Sequence, residues 1–590
     1  MHRLVKTSIV AGLTGALSVT VAWAGVGLVP VPAPDAVTGA VEQVGAQPTT
    51  TEAAAAPQPA AAAPAAALPG LTGGELYVGA AKTDLTPRPQ DAQAAFPGAR
   101  WEQDAAKCKT LDPALLTRLA ADTQTEIDHL ASAGSPWPEN PDCLYMGGYG
   151  LGPMNPITSF DPELGLWVRA LAIGDGKDLA VLTVIDAEGW LWDYKNKCED
   201  CGTKQIADAL AADPVLAARG MKPESFNLHA THSHTAMDFL GGWGFVPDWY
   251  MAQATETIKQ TVKDAVAAME PAVLETGKAD ARAHNSERRA TYRSAEEAEL
   301  TWLRAVALDA APAADGTTTE DKSKKKQPAA SPSPAPERRV IATLGAFAAH
   351  PVTQDAGSGV AHPDWPGWFA KAAEERFGGV GMHFMTGLGN VTGAKGQEHD
   401  HNGAVTRRST GDELVDLIAP VGQGRTVVTP DVRVARATWR QPVTNAPLDA
   451  LGTPGFFDRQ FDLVPATVSV GKSSTAPCAS AAPQSVELPA TAIKIGDDVV
   501  LTTAPGETFS NLSNTIKEKS PAAVVFPLGQ TNDSLGYMPQ SFELNPAGQQ
   551  GAGFAANGYV VVNYEDSYAI DRCVGDMALE TTLKLVRDLP

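Results

Sequence analysis

The side chains best suited to chemistry in this chain are its histidines. Eleven occur in all, and His229, His232 and His234 crowd into Leu228-His229-Ala230-Thr231-His232-Ser233-His234-Thr235. On an extended chain, residues two apart share a face. That spacing predicts His232 and His234 pointing into one site and His229 pointing elsewhere. Paired neutral imidazoles suit Zn²⁺, which binds nitrogen at about 2.0–2.1 Å; the rival reading is a polar strand end with hydrogen-bonded histidines. His350 ends the apolar run Ala342–Ala349 and, taken alone, reads as a satisfied core histidine. His362 stands in Ala361-His362-Pro363-Asp364, where Asp364 either caps a helix or orients a ligand histidine. Gln397-Glu398-His399-Asp400-His401 is richer in ligand types. It lies in a polar stretch with no apolar strand to hold it and reads as solvated surface. Glu507, in Pro505-Gly506-Glu507, reads alone as a first-turn acid favoured by a helix dipole. Tyr537 reads as a loop anchor, and Leu388–Gly393 as a Gly-bearing loop that makes either an oxyanion position or a turn. No G-x-S-x-G elbow, P-loop or dinucleotide fingerprint occurs.

These residues need elements to place them. Apolar runs predict strands at Trp167–Ile173, Leu179–Ile185, Ser225–Ala230, Thr301–Leu308, Val340–Ala349, Val380–Met385, Val499–Thr503 and Ala523–Pro527. Helical patterns fall at 112–132, 203–217, 250–269, 365–377, 411–419, 508–519 and 574–588. Strands interleaved with helices give an α/β, mixed α+β, fold: one large domain of mixed β-sheets flanked by helices. Asp186, His232 and Glu507 each follow an apolar strand, and strand ends position loop residues accurately.

The 590 residues are 44% hydrophobic and 19% charged, enough for a large core, with a formal net charge of -22. That balance argues against a nucleic-acid partner, which needs clustered Lys and Arg. Residues 1–24 read as an export signal: His2, Arg3 and Lys6 precede an apolar stretch and Ala22-Trp23-Ala24. An uncleaved anchor is the rival, because apolar residues continue to Val31. Residues 25–74 read as an Ala/Pro-rich disordered linker, and 75–590 as the folded domain. Residues 310–338, with Lys322, Lys324, Lys325 and Lys326, read as a low-complexity insert within that domain. Six cysteines in an exported chain suggest three disulfides. Compact local spacing favours Cys108–Cys143 and Cys198–Cys201, leaving Cys478–Cys573.

Several pieces also fall into one order. They are Val78-Gly79-Ala80-Ala81-Lys82-Thr83-Asp84-Leu85-Thr86-Pro87, Met146-Gly147-Gly148-Tyr149-Gly150 and Val184-Ile185-Asp186-Ala187-Glu188-Gly189. Ala230-Thr231-His232-Ser233-His234, Ala349-His350-Pro351-Val352, Pro505-Gly506-Glu507, and Asn532 with Tyr537 follow. In this order the chain resembles the neutral/alkaline, non-lysosomal ceramidase family. The resemblance implies one Zn²⁺ per chain on His232, His350, Glu507 and Tyr537, and hydrolysis of the ceramide amide to a sphingoid base and a fatty acid. It implies His234 as proton shuttle, and Tyr564, in Asn563-Tyr564-Glu565-Asp566, as the tyrosine that contacts the substrate carbonyl. Tyrosine is an unusual zinc ligand, so Tyr537 can instead donate to the developing oxyanion. Asp186 and Asp364 are expected behind ligand imidazoles. Arg288 or Arg289 would supply the family's substrate-side arginine.

Two departures stand out. Thr392 occupies the place of the family's proposed nucleophilic serine, with an extra methyl that crowds the site. A C-terminal immunoglobulin-like domain, found in many members, is expected to be absent. The resulting expectation is a secreted or cell-surface hydrolase of ceramide or a related N-acyl lipid, with peripheral membrane contact. A zinc hydrolase acting on another amide or ester, and a catalytically silent binding protein, are the alternatives. Convergence of His232, His350, Glu507 and Tyr537 separates the first two from the last.

Overall fold

The computed structural model describes residues 74–108, 142–148, 155–194, 197–244, 246–289, 296–308, 338–353, 356–393, 404–452, 459, 461–470, 478–544 and 564–589. The export-signal and linker expectations, the helix at 112–132, most of the 310–338 insert and the 397–401 cluster lie outside these residues.

A nine-stranded mixed sheet forms among the described residues. Its main strands are β1 (Leu76–Asp84), β2 (Trp167–Gly174), β3 (Leu179–Ile185), β4 (Phe226–Ala230), β5 (Glu270–Asp280), β6 (Glu299–Ala307), β7 (Val340–Phe347) and β8 (Val380–Met385). They run in the order β8-β7-β6-β5-β1-β2-β3-β4, with Arg425–Thr426 added against β5. The pairs β3/β4 and β7/β8 are parallel. A second sheet holds β9 (Val432–Pro442), β10 (Ser485–Ile495), β11 (Val499–Thr503) and β12 (Val524–Leu528) in that order, with β11/β12 parallel.

The two sheets pack face to face. Leu171, Ile173, Leu182 and Val184 of the large sheet share one buried cluster with Ile493, Val499, Leu501 and Phe526 of the small one. Each such side chain contributes about 1.5–3 kcal/mol by leaving water, so this shared core is the main force holding the sheets together. Helices cover the outer faces. On the large sheet these are α1 (Thr203–Ala212), α2 (Asp248–Ala267), α3 (Asp364–Phe377) and α4 (Ala404–Asp416). On the small sheet α5 (Ser510–Lys519) and α6 (Val574–Asp588) cover β10, β11 and β12. Gly79 allows close approach of α2, since a Cβ there would run into the Ala265 carbonyl. The mixed α/β architecture expected from the sequence is the one found.

Local differences have local causes. The helix expected at 203–217 breaks at Asp213, which precedes Pro214 and caps a separate turn through Val215 N–H and Leu216 N–H. The long antiparallel pair β9/β10 is not among the expected strands. β9 carries Arg433, Arg436 and Arg440 on partly exposed positions, which blunts its apolar signal. The three disulfides are Cys108–Cys143, Cys198–Cys201 and Cys478–Cys573, the expected pairing. Among the described residues no helix is long and apolar enough to cross a membrane.

Candidate metal centre

The parallel strands end together, and their ends build one site. Glu188 follows β3, His232 follows β4, His350 follows β7, and Leu388–Val391 follow β8. Glu507 follows β11 and Gln530–Asn532 follow β12. Backbone bonds lace the two sheets at this edge: Ala230 N–H to the Gln530 carbonyl (3.1 Å), Asn532 N–H to Leu228 (2.7 Å) and Gly529 N–H to Met385 (3.0 Å). Gly389 N–H also reaches Thr508 (2.9 Å). The site therefore rests on two sheets at once.

Three imidazoles converge there. His232, His234 and His350 each offer a ring nitrogen, and these nitrogens lie within 4.8 Å of one another. Glu507 joins them: its Oε2 is 3.0 Å from His350 Nε2 and 3.5 Å from His232 Nε2. Two of the rings have their tautomer set from behind. His350 Nδ1 bonds the Leu388 and Val391 carbonyls at 2.8 and 3.0 Å, and His232 Nδ1 bonds the Glu188 carbonyl at 2.8 Å. The Nε2 atoms of both rings are thus left facing Glu507.

The electrostatics suit a cation. Burial alone would push the His232 imidazole down, but Glu507 and then Glu188 overcome it and raise the group to about 9. Burial also opposes the charge on Glu507, yet His232 and then His350 hold its carboxyl below the ordinary carboxylate range. Burial and the Arg288 guanidinium lower His350 to about 4 despite Glu507, and burial with both neighbouring imidazoles keeps His234 well below the histidine range. Burial raises Glu188 to about 8 against the pull of His232. The focus therefore presents two neutral imidazoles, His234 and His350, an ionised carboxylate, and at His232 a field that favours positive charge, which a bound cation supplies in place of the ring's proton. That donor set fits Zn²⁺.

The expected convergence of His232 and His234 arises by a different route. Their ring centroids are 5.0 Å apart, but the chain between them is not extended. β4 ends at Ala230, and His232 adopts φ 58°, a left-handed turn. Strand alternation gave the right neighbours for the wrong reason: a strained loop, not a shared strand face, brings the rings together. Gly148, at φ 84°, lies directly against the His234 ring, where any Cβ would collide with it. His229 does point elsewhere, bonding the Gly529 carbonyl and accepting from Met385 N–H, each at 3.0 Å.

Glu507 is not a helix first-turn acid. It lies in a two-residue strand, Glu507–Thr508, paired in parallel with Tyr537–Met538, and its register partner is Tyr537. The Tyr537 hydroxyl accepts a hydrogen bond from Arg288 at 2.9 Å. Arg288 also binds the Gly389 carbonyl (3.0 Å) and Glu565 (2.9 Å). Of the two candidate arginines it is Arg288 that faces the centre, while Arg289 is spent on Asp566 (2.7 Å) and the Phe509 ring. Thr392 lies in the short strand Val391–Gly393, opposite Ser286, one residue beyond the carbonyl that holds His350. Tyr564 opens the short helix Tyr564–Tyr568 next to Glu565, and its side chain lies outside what the structure describes.

The two acids expected behind ligand imidazoles are used otherwise. Asp186 pairs with Arg169 at 2.8 Å and accepts from Trp167 N–H, because the buried guanidinium is the nearer and stronger partner. Asp364 begins α3 at φ 54° and binds the Thr353 backbone and hydroxyl at 3.0 and 2.6 Å. It anchors the segment after His350. Glu188 and Gln530, both at His232 Nδ1, were not singled out by sequence. The one available signal for Glu188 was an acid three residues beyond an apolar strand end.

No protein-family model matches the chain, and no curated protein does. Solved structures do. A neutral ceramidase from Pseudomonas aeruginosa matches with TM-score 0.53 and 15% identity over 88% of this chain and 75% of that one. A ceramidase complexed with C2 matches with TM-score 0.52 and 14% identity over 88% and 76%. The chain has a neutral ceramidase-like fold.

Proposed function

We propose that this chain is a secreted, zinc-dependent amidohydrolase that cleaves the N-acyl amide of ceramide or a related lipid. One observation carries the reading. In a neutral ceramidase-like fold, His232, His350 and Glu507 meet at the joined strand ends of both sheets, with Tyr537 in register beside Glu507. Export rests on the pattern of residues 1–24 and agrees with three disulfides.

His232, His350 and Glu507 would hold the ion, with Tyr537 beside Glu507 as the donor to the developing oxyanion. When bound, Zn²⁺ supplies a Lewis acid for the amide carbonyl and lowers the pKa of water toward about 7. His234, neutral because burial and its neighbours depress its basicity, accepts a proton from water as the new C–O bond forms. It returns that proton to the amide nitrogen as the C–N bond breaks, releasing an amine and a carboxylic acid. Arg288 donates to the Tyr537 oxygen, which turns the phenolic proton away from Arg288 and toward the carbonyl oxygen. Thr392 positions water or substrate from the strand beside His350. Tyr564 contacts the substrate carbonyl.

Release of labelled fatty acid from ceramide by the purified chain tests this, with His232→Ala as control. Release that needs zinc and His232 is expected. No release from a chain carrying stoichiometric zinc removes ceramide as substrate and transfers the site to another amide or ester.

A further inference from the structure

Glu188 is an unfavourable residue to bury. It is 2% exposed, and its Oε2 has no hydrogen-bond partner among the described residues. Gly147 backs onto it so closely that a Cβ there would lie 2.5 Å from Glu188 Cβ. Asp238 and Glu507 add like charge nearby. A buried carboxyl with an unsatisfied oxygen and acidic neighbours opposes folding, and the hydrolytic scheme above does not use it.

Its position suggests what it is for. Glu188 sits behind His232, on the side of the ring opposite Glu507. Its carbonyl is 2.8 Å from His232 Nδ1 and its carboxylate Oε1 is 3.7 Å from the same atom, whereas Nε2 faces Glu507 at 3.5 Å. The carbonyl sets the tautomer. Ionised in the presence of a cation at Nε2, the carboxyl adds negative charge along the axis of the ring, which makes Nε2 a stronger donor. Counted together, Glu188 and Glu507 supply two carboxylates beside one divalent ion, and a buried centre is best stabilised when its charges balance.

We propose that Glu188 is a positioning residue of the metal centre, an outer carboxylate that strengthens the grip of His232 on a divalent cation without touching cation or substrate. This rests on the metal reading above, and the test separates the two. Zinc affinity of the full purified chain is measured by competition with a chromophoric chelator, alongside the Tm of the metal-free protein. Glu188→Gln keeps shape and backbone carbonyl but removes the charge. It should weaken zinc binding about 10- to 100-fold with a metal-free Tm equal to or above wild type. Glu188→Asp, which restores the charge, should recover part of that loss.

Wild-type zinc affinity in Glu188→Gln, with binding abolished in His232→Ala, would overturn the role of Glu188 and leave the centre standing. Equal zinc binding by wild type and His232→Ala would overturn both. Equal losses in Glu188→Gln and Glu188→Asp, together with a lower metal-free Tm, would assign Glu188 to packing and overturn the proposal.

Discussion

At the scale of single residues, His234 carries a choice between two roles. Its ring lies within reach of the same focus as His232 and His350, which suits a third ligand. Glu507 nevertheless stands between His232 and His350 at 3.5 and 3.0 Å, and burial with both neighbouring imidazoles keeps the His234 ring neutral. A neutral ring beside the focus is suited to accept a proton there and return it. His234→Ala is therefore expected to keep stoichiometric zinc while losing turnover by about 10²–10⁴-fold, measured by metal analysis and ceramide hydrolysis on one preparation. Loss of zinc in this variant would make His234 a ligand instead. Gly148 bears on the same point, because its missing side chain is what leaves room for that ring.

At the scale of elements, the packing of α3 on the large sheet buries a polar group among apolar rings. His383, in β8, is buried against Trp365 and Phe369 at centroid distances of 4.5 and 5.2 Å. Neither ring nitrogen has a hydrogen-bond partner among the described residues. Burial, and then His229, hold its pKa well below the histidine range. In the unfolded chain the same ring takes up a proton near pH ~6.5. As pH falls below that value, the unfolded state binds a proton that the native state refuses, so stability drops on the acid side. His383→Met should flatten the pH dependence of the unfolding free energy between pH 5 and 6.5 by up to about 1.4 kcal/mol per pH unit. An unchanged slope in denaturant titrations would show that His383 finds a partner when protonated.

At the scale of the whole molecule, the candidate ligands come from both sheets: His232 and His350 from the large one, Glu507 from the small one. An ion bound there ties the layers together and stabilises only the native state. With free zinc at about 100 times its Kd, the native state gains about 2.7 kcal/mol. Stripping the protein with a chelator should therefore lower its Tm, and readding zinc should restore it. In His350→Ala that difference should vanish; a chelator effect that survives there would place the stabilising ion elsewhere.

Much of this was legible in the chain before any fold was known. The apolar runs of β3, β8 and β11 mark strands with their observed bounds, because a strand buried on both faces declares itself through local composition. The capacity of His232, His350 and Glu507 to bind metal is equally local, a property of each side chain. What sequence left open was which of several plausible groups act together. His350 read alone as a core histidine and Glu507 as a helix acid, and Asp186, not Glu188, was the acid expected behind a ligand imidazole. Only the tertiary structure chose among them. The apolar core between the sheets aligns the ends of β7 and β11, backbone bonds from Ala230 and Asn532 tie the end of β4 to the small sheet, and residues 232, 350 and 507 are so brought together. The same packing gives Asp186 to Arg169 and puts Glu188 behind His232. The His-x-His pair was a sound starting point, but packing, not spacing, made it part of a site.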